Sequence, residues 1–394
     1  MNTPPYCILP WISLHARADG TVYPCCYGPG TTPIANLNSS TMEEIWDSQK
    51  MRDVRLSLRD GVIPPSCARC ERFDKAGSAS QRRTLTKYFA HCSDKILHMA
   101  DDGSTPFDIR FIDFRFDNIC NLKCRFCSEA ASSSAAAEKK KLGVLNGPTI
   151  LELSNINGFN ESLNAILPTV ELIQFNGGEA LLSEKHYDIL DWLIASNRTD
   201  VFIRYTTNLS TLEYKNRHIL DYWSKFPNIH VTASIDGTGQ RAEYIRHGCR
   251  WDEFVKNVNM VQSSITHAEF SLCSTMCAYT AHSMIDDFNW WVDNGHISPD
   301  QFLINLLDYP SYFHARVLPE SFRQLLHKSF LDHIEKITPS VSNYILSRWI
   351  GAANYLVGPQ NEQHLAEFKK TTSNLDLIRG ESFANTFPEL ARIL

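Results

Sequence analysis

The chain has 394 residues, 38 basic and 44 acidic side chains and a net charge of -6, and its length suits two or three domains because single cores stop growing near about 250 to 300 residues. The acidic balance leaves no global basic footprint for nucleic acid, and Lys139-Lys140-Lys141 after Glu138 reads as one solvated helix face. No apolar run reaches membrane-spanning length, and Met1-Asn2-Thr3-Pro4-Pro5 lacks the basic-then-apolar start of a signal peptide, so a cytoplasmic protein is expected whose twelve cysteines serve metal sites as reduced thiols.

In chain order, the first feature is a cysteine set: Cys7, Cys25-Cys26 and Cys67-Ala68-Arg69-Cys70. Asp19-Gly20 is a hairpin-turn signal between two strand-like runs, at 11–16 and 21–24, so the chain doubles back and returns Cys25 toward Cys7. Thr41-Met42-Glu43-Glu44 has capping-box spacing and opens a helical pattern ended by Gly61 and Pro64-Pro65. Residues 74–106 mix charge, Gly and Ser around a helical stretch at 81–99 and read as a connector; Cys92 there reads as a small buried hydrophobe. From Phe107, strands are predicted at 108–116, 170–176, 201–207, 229–235, 269–276 and 301–307, with helices between them at 130–142, 184–195, 214–226, 241–261 and 281–294. Such alternation implies parallel strands joined by right-handed crossovers. After Pro319 only helices are expected, covering one side, with Trp349 and Tyr355 as packing residues.

Directly after the first of these strands comes Asp117-Asn118-Ile119-Cys120-Asn121-Leu122-Lys123-Cys124-Arg125-Phe126-Cys127. Three thiolates on so short a loop can hold three corners of a cubane and leave one iron without a protein ligand, whereas structural zinc closes its tetrahedron with four. The next cysteines in the sequence are Cys92 and Cys249. The loop resembles the CxxxCxΦC loop of the radical SAM superfamily, with Phe126 as the aromatic position. The resemblance implies a [4Fe-4S] cluster on Cys120, Cys124 and Cys127 whose open iron is chelated by S-adenosylmethionine. The fold it implies is an α/β partial (β/α)6 TIM-like barrel. The competing reading is a chance cluster of buried thiols or half of a zinc site.

The segment from Cys7 to Cys70, including Asp19-Gly20-Thr21-Val22-Tyr23-Pro24-Cys25-Cys26, Ile34-Ala35-Asn36-Leu37 and Glu44-Ile45-Trp46, resembles the twitch module, the shortened relative of the SPASM domain. This resemblance implies an auxiliary iron-sulfur cluster, expected to be [4Fe-4S], on Cys7, Cys25, Cys67 and Cys70. Cys25 is taken over Cys26 because only one of two adjacent thiols can easily face a cluster held by four. A zinc knuckle is the competing reading. The better-known twitch modules follow the barrel; here the module precedes it. The expected organisation is thus a small α+β twitch module of hairpin plus helix over 1–75, a connector over 76–106, the partial barrel over 107–315 and a helical region over 316–394.

The remaining motifs fall at the carboxyl ends of predicted strands, where parallel sheets place ligand sites. Asn176-Gly177-Gly178-Glu179 resembles the family's GGE motif, in which backbone and Glu179 bind the amino group of S-adenosylmethionine, and its glycines allow close backbone approach. Thr206-Thr207-Asn208 and Ser234-Ile235-Asp236-Gly237 resemble positions that contact the ribose or the methionine carboxylate, so Thr207, Asn208, Ser234 and Asp236 are candidates. Arg246 resembles the cation that pairs with that carboxylate; the alternative is a surface arginine.

The resemblance implies an enzyme in which a 5'-deoxyadenosyl radical takes a hydrogen atom from substrate, with an electron donor such as flavodoxin or ferredoxin. The fate of the substrate radical depends on the auxiliary cluster and on nearby thiols. Oxidation or rearrangement of a small polar molecule, such as a sugar, aminocyclitol or amino acid, is the preferred reading. Modification of a ribosomally made peptide is the alternative, against which Cys7 starts too early for an appended leader-binding domain; a non-catalytic binding or sensing module is the third. In the strand at 269–276, period-two alternation puts Glu269, Ser271, Cys273, Thr275 and Cys277 on one, more polar face, so that Cys273 or Cys277 could return a hydrogen atom; otherwise both are ordinary buried cysteines.

Overall fold

The computed structural model describes residues 7–28, 32–75, 80–360 and 362–394; the reading of Met1 to Pro5 lies outside the described residues. Its centre is one nine-stranded sheet. In chain order the strands are β1 (Ser13–Ala16), β2 (Thr21–Tyr23), β3 (Ala35–Asn36), β4 (Phe111–Ile112), β5 (Leu172–Phe175), β6 (Phe202–Thr207), a separate two-residue pair β7 (Glu213–Tyr214) and β8 (Arg217–His218), then β9 (Ile229–Ser234), β10 (Glu269–Met276) and β11 (Phe302–Leu306). The sheet order is β11-β10-β9-β6-β5-β4-β1-β2-β3. Strands β4, β5, β6, β9, β10 and β11 are parallel neighbours, as the alternating pattern predicts.

The N-terminal hairpin is not a separate appendage. β1 pairs in parallel with β4 (Ser13 opposite Phe111) and antiparallel with β2, so the hairpin extends the large sheet at its β4 edge. The Asp19-Gly20 turn forms as expected: Gly20 has φ +83°, and the Asp19 carboxylate accepts from the Thr21 N–H at 3.0 Å. The Thr41 capping box is also present, opening helix Met42–Trp46.

Two layers of core arise from the strand period. Ile112, Phe114, Ile173, Phe175, Ile203, Tyr205, Val231 and Leu272 pack in the main core. On the opposite face, Phe111, Leu172 and Phe202 meet Leu9, Trp11, Leu85 and Phe89, so the N-terminal segment and helix Gln81–Tyr88 floor one end of the sheet's inner surface. The same faces continue toward the carboxyl ends as Asp113, Gln174, Asn176, Thr206, Thr232, Ser234 and Cys273, which makes that end of the inner surface polar.

Three elements predicted within the alternating region differ. The strand at 108–116 pairs as a strand only at Phe111–Ile112, although β1 and β5 each run two residues further and the Arg115 N–H still donates to the Ala16 carbonyl at 2.8 Å. The helix expected at 214–226 shrinks to Ile219–Trp223 after the β7–β8 ribbon, whose turn puts Lys215 at φ +53°. The helix expected at 241–261 breaks into Gly239–Ile245 and Trp251–Ser264. Gly248, at φ +99°, lies so close to Asn121 that a Cβ would sit 3.2 Å from its carbonyl oxygen, and the Lys123 N–H donates to the His247 carbonyl at 2.9 Å. The break is where this segment meets the CxxxCxxC loop.

The C-terminal helices cover two places. Helices Glu320–Ile337 and Asn343–Tyr355 pack Phe330 and the fully buried Trp349 against Phe288 and Phe302. Tyr355 donates to the Leu307 carbonyl at 2.5 Å. Helix Glu362–Arg379 lays Phe368 on Tyr279 and Phe313, and its end reaches the cysteine loop. No helix among the described residues is long and apolar enough to cross a membrane.

Candidate functional site: two thiol centres on one sheet

The loop from Asp117 to Cys127 is held by its own polar residues. The Asp117 carboxylate accepts from the Ile119 N–H at 3.0 Å and from the Ser183 hydroxyl, while burial pushes its pKa up to about 6. Asn118, fully buried, donates to the carbonyls of Glu129 and Thr149 and accepts from the Leu151 N–H. Ser132, Ser133 and Ser134 then bind the loop backbone: Ser132 donates to the Leu122 carbonyl at 2.7 Å, Ser134 to the Cys120 carbonyl at 2.6 Å, and Ser133 accepts from the Cys120 N–H. These braces leave Cys120, Cys124 and Cys127 partly exposed on one loop. Burial and then Glu179 raise the Cys120 thiol to about 12; burial, Cys124 and Cys120 raise Cys127.

The loop after β5 stacks directly on this one. A Cβ on Gly178 would sit 2.2 Å from the Ile119 carbonyl oxygen, and Gly177 takes φ +136° beside Asp117. The glycines therefore admit the neighbouring backbone. Gly178→Ala is expected to cost about 3 kcal/mol through overpacking and to lower iron retention on this loop. Gly147→Ala, where a Cβ meets nothing within 4 Å, serves as control; thermal unfolding and iron analysis of both variants check the expectation.

Glu179 is buried beside Cys120. Its carboxylate accepts from the Thr207 hydroxyl (2.6 Å), the Asn208 N–H (2.6 Å) and the Leu181 N–H (3.1 Å), which uses three of its roughly four acceptor positions. Burial still raises its pKa against those donors. Asn208 in turn points its amide at the Cys120 sulfur at 3.8 Å and at Asn121 at 3.1 Å. Ser234, at the carboxyl end of β9, is partly buried opposite Cys273.

Arg246 is not on the surface: its Nε donates to the fully buried Asp236 at 2.6 Å, and the other Asp236 oxygen accepts from the Thr275 N–H at 2.6 Å. Burial works against its charge, but Asp236 and Cys124 outweigh it and raise its pKa. Its charge also acts on Cys124, Cys127 and Glu179, and its neighbours Ile245 and His247 accept from the loop's Arg125 and Lys123 N–H groups, both at 2.9 Å. Cys249, distant in sequence, sits within electrostatic reach of Cys124. Phe126 packs half-buried against the main core.

Arg125 and its partners are the largest feature that sequence reasoning missed. Its side chain has no exposure, its Nε donates to the Tyr244 carbonyl at 3.0 Å, and its guanidinium lies 3.5 Å from the Tyr244 ring centroid. Nη2 binds Asp376 at 2.6 Å and also Glu381. His247 binds Glu381, and Arg379 joins Glu138 at 2.8 Å, so the end of the last long helix is bolted to the cysteine loop. A buried arginine inside the motif was the available signal, but its partners lie some 250 positions away.

The second centre gathers Cys7, Cys25, Cys67 and Cys70. Cys7 feels Cys25, Cys67 and Cys70, and Cys25 feels Cys67 and Cys70; burial first, then these neighbours, raise Cys25 to about 12 and Cys67 to about 11. The same cavity is lined by Cys26, but the Cys26 thiol hydrogen-bonds Asp113, turning toward the inner face of the sheet. Thiols whose pKa values burial raises in this way hold a negative charge only beside a metal, since ligation requires deprotonation. Donor type and number bear on which metal. The trio of potential ligand atoms mutually within 4.8 Å among the described residues is His91, Cys92 and Glu171, where Glu171 is also paired with Arg110. Three thiols on one loop leave a corner open where a structural zinc site is closed by four ligands, and an all-thiolate set is a donor set that iron-sulfur clusters use, so the residues at both centres fit such clusters.

Cys273 projects from β10 on the polar inner face, opposite Ser234 on β9 and Leu303 on β11. Burial and Asp236 raise its thiol to about 11. Cys277 does not share that position. β10 ends at Met276, and Cys277 lies in the following turn, fully buried in the main core, its N–H donating to Thr280. The strand period stops one residue too early for the predicted face to include it.

Residues 7–71 match the SPASM family model, described as an iron-sulfur cluster-binding domain. No curated protein is similar enough to count as a relative. Among solved structures, native anSMEcpe with bound AdoMet is 13% identical, covering 58% of this chain and 62% of that one at a TM-score of 0.37. Streptococcus suis SuiB bound to precursor peptide SuiA is 12% identical over 69% of this chain and 60% of its own, also at 0.37. TYW1 with a lysine-pyruvate adduct bound is 13% identical over 53% and 68%, at 0.30. The chain thus spans less than two thirds of the first two structures' length. The four thiols of the second centre all fall inside the matched segment, and residues 7–71 are accordingly similar to the SPASM iron-sulfur cluster-binding family.

Proposed function

We propose that this chain is a radical SAM enzyme with an auxiliary cluster, and that it oxidises or rearranges a small polar molecule. The observation that carries the reading is the convergence of three strand-end loops on the CxxxCxxC loop: Glu179 and Asn208 beside Cys120, and Arg246, pinned by Asp236, beside Cys124 and Cys127. Cys120, Cys124 and Cys127 would hold the catalytic [4Fe-4S] cluster; Cys7, Cys25, Cys67 and Cys70 would hold the auxiliary one. When bound, cluster and S-adenosylmethionine supply a 5'-deoxyadenosyl radical that takes a hydrogen atom from substrate.

The protein's own residues set position and dryness. Glu179 retains one acceptor position for an ammonium group, and Arg246 offers its remaining N–H donors to a carboxylate. The apolar floor of Phe111, Leu172 and Phe202 closes the inner surface to water from the far end. In this reading either Cys273 would donate a hydrogen atom or the auxiliary cluster would accept an electron, and the reaction outcome turns on which acts. An external donor such as flavodoxin or ferredoxin would deliver the first electron.

Anaerobically reconstituted protein with dithionite and S-adenosylmethionine is expected to release 5'-deoxyadenosine, and Cys124→Ala is expected to reduce that release to background. Cleavage at the wild-type rate in Cys124→Ala would overturn the assignment.

A further inference from the structure

Outside both thiol centres, three side chains of ligand type meet at the amino end of β5. His91 and Cys92 come from the short 3-10 helix Ala90–Cys92, and Glu171 immediately precedes β5. One ligand atom from each lies within 4.8 Å of those of the other two, and the His91 Nε2 and Glu171 Oε2 are already 2.8 Å apart. Cys92 is buried in the same floor as Leu85, Phe89 and Phe111, Glu171 is half-buried and His91 is exposed. The cluster is thus closed by core on one side and open to solvent on the other.

The positions of the three groups are fixed by their surroundings. The Cys92 N–H donates to the Phe89 carbonyl at 2.9 Å. The Glu171 N–H donates to the Arg110 carbonyl at 2.8 Å, and the Glu171 carbonyl accepts from the Phe202 N–H at 2.9 Å, which ties this residue to the chain entering β4 and to β6. Arg110 is held by two bonds to Asp108, at 2.7 and 3.0 Å, and meets the Glu171 Oε1 at 3.3 Å. That contact leaves Oε2 to His91.

An ion pair accounts for His91 and Glu171 but gives the thiol no part. Thiolate, imidazole and carboxylate together are a zinc donor set, and a ligating carboxylate is commonly oriented by a further hydrogen bond such as the one from Arg110. Tetrahedral zinc with bonds of about 2.0 to 2.3 Å holds its ligand atoms about 3.3 to 3.8 Å apart. Small rotations of the exposed His91 ring and of the Cys92 thiol reach that spacing.

We propose that His91, Cys92 and Glu171 bind a zinc ion, with a water in the fourth position on the exposed side. Binding releases the Cys92 thiol proton to solvent, and the His91 Nε2 gives up its proton to solvent or to Nδ1, since the ligands must be thiolate and neutral imidazole. The ion joins the turn that follows helix Gln81–Tyr88 to the start of β5, the strand that leads to Gly177, Gly178 and Glu179. With three protein ligands the site is open and its metal exchangeable.

The test is calorimetric titration of zinc chloride into the reconstituted protein, with both clusters loaded so that their cysteines are occupied. Saturable binding of one ion per chain is expected at micromolar concentration or below. Cys92→Ser and His91→Ala should each weaken it at least tenfold, with iron content at the wild-type level; His91 is exposed, so its variant removes a ligand without disturbing the core. His98→Ala, whose ring bonds the Asp94 carbonyl at 2.9 Å, should leave the affinity unchanged. X-ray absorption at the zinc edge should show one sulfur together with nitrogen and oxygen, unlike zinc at a cluster site, where the protein donors are sulfur. Absence of saturable binding, equal affinity in wild type and His91→Ala, a sulfur-only shell around zinc, or loss of iron on zinc addition overturns the proposal.

Discussion

Arg125→Ala should destabilise the protein by about 3 kcal/mol or more, the usual consequence of removing one partner of a buried charge group. It should also loosen the cysteine loop. The arginine has no exposed side-chain surface and binds Asp376, Glu381, the Tyr244 carbonyl and the Tyr244 ring at once. Its removal leaves two carboxylates facing each other at the end of helix Glu362–Arg379, with only Tyr244, His247 and the Phe383 N–H to neutralise or solvate them. Because the Arg125 N–H also donates to the Ile245 carbonyl next to Arg246, the displacement should reach the residue that faces Cys124 and Cys127. Iron at the three-cysteine loop should become labile to chelators, while iron at the four-cysteine centre stays. Asp376→Asn combined with Glu381→Gln should have a similar effect from the other side, by leaving Arg125 charged and buried alone. Wild-type melting temperature and chelator resistance in both variants would show that the clamp does not hold the loop.

Cys67→Ala is expected to cut iron from about eight to about four atoms per chain, on the stoichiometry of two cubane clusters. It should also destabilise more than its own module. Cys67 belongs to the same buried cluster as Leu9, Trp11 and Phe111, and Phe111 is half of β4, the strand that leads toward the three-cysteine loop. Since metal binding and folding are coupled at ligand-rich sites, losing the cluster should open residues 60–75 to proteolysis and fray the β1–β4 pairing, which hydrogen exchange at Leu14 and Ile112 would report. The three-cysteine loop lies elsewhere on the sheet, so the variant should still release 5'-deoxyadenosine. Zinc in place of the missing iron in the wild-type protein would sink the auxiliary-cluster assignment.

Much of this was legible in the residues because its causes are local. Strand and helix alternation from Phe107, the Asp19-Gly20 turn and the Thr41 capping box all depend on side chains within a few positions of one another, and all are present. The two cysteine sets were legible for the same reason: ligand type and short spacing are properties of the chain. The choice of Cys25 over Cys26 rested on a steric rule, and the structure turns Cys26 to Asp113. The misplacement of Cys277 also has a local origin, since period-two alternation does not say where a strand stops, and β10 stops at Met276.

What only the tertiary structure decided is how distant pieces share charge and surface. Composition described residues 1–106 as a module and a connector, but β1 joins the large sheet beside β4 and helix Gln81–Tyr88 floors its inner face. Non-local strand pairing depends on which edge is free, and no window of sequence contains that. The break at Arg246 to Gly248 arises where the helix would collide with the cysteine loop. The same holds for Arg125 with Asp376. Whether a charged residue is solvated, paired or left facing a pocket depends on what the fold brings against it, while the thiols that define the two centres were marked by chemistry alone.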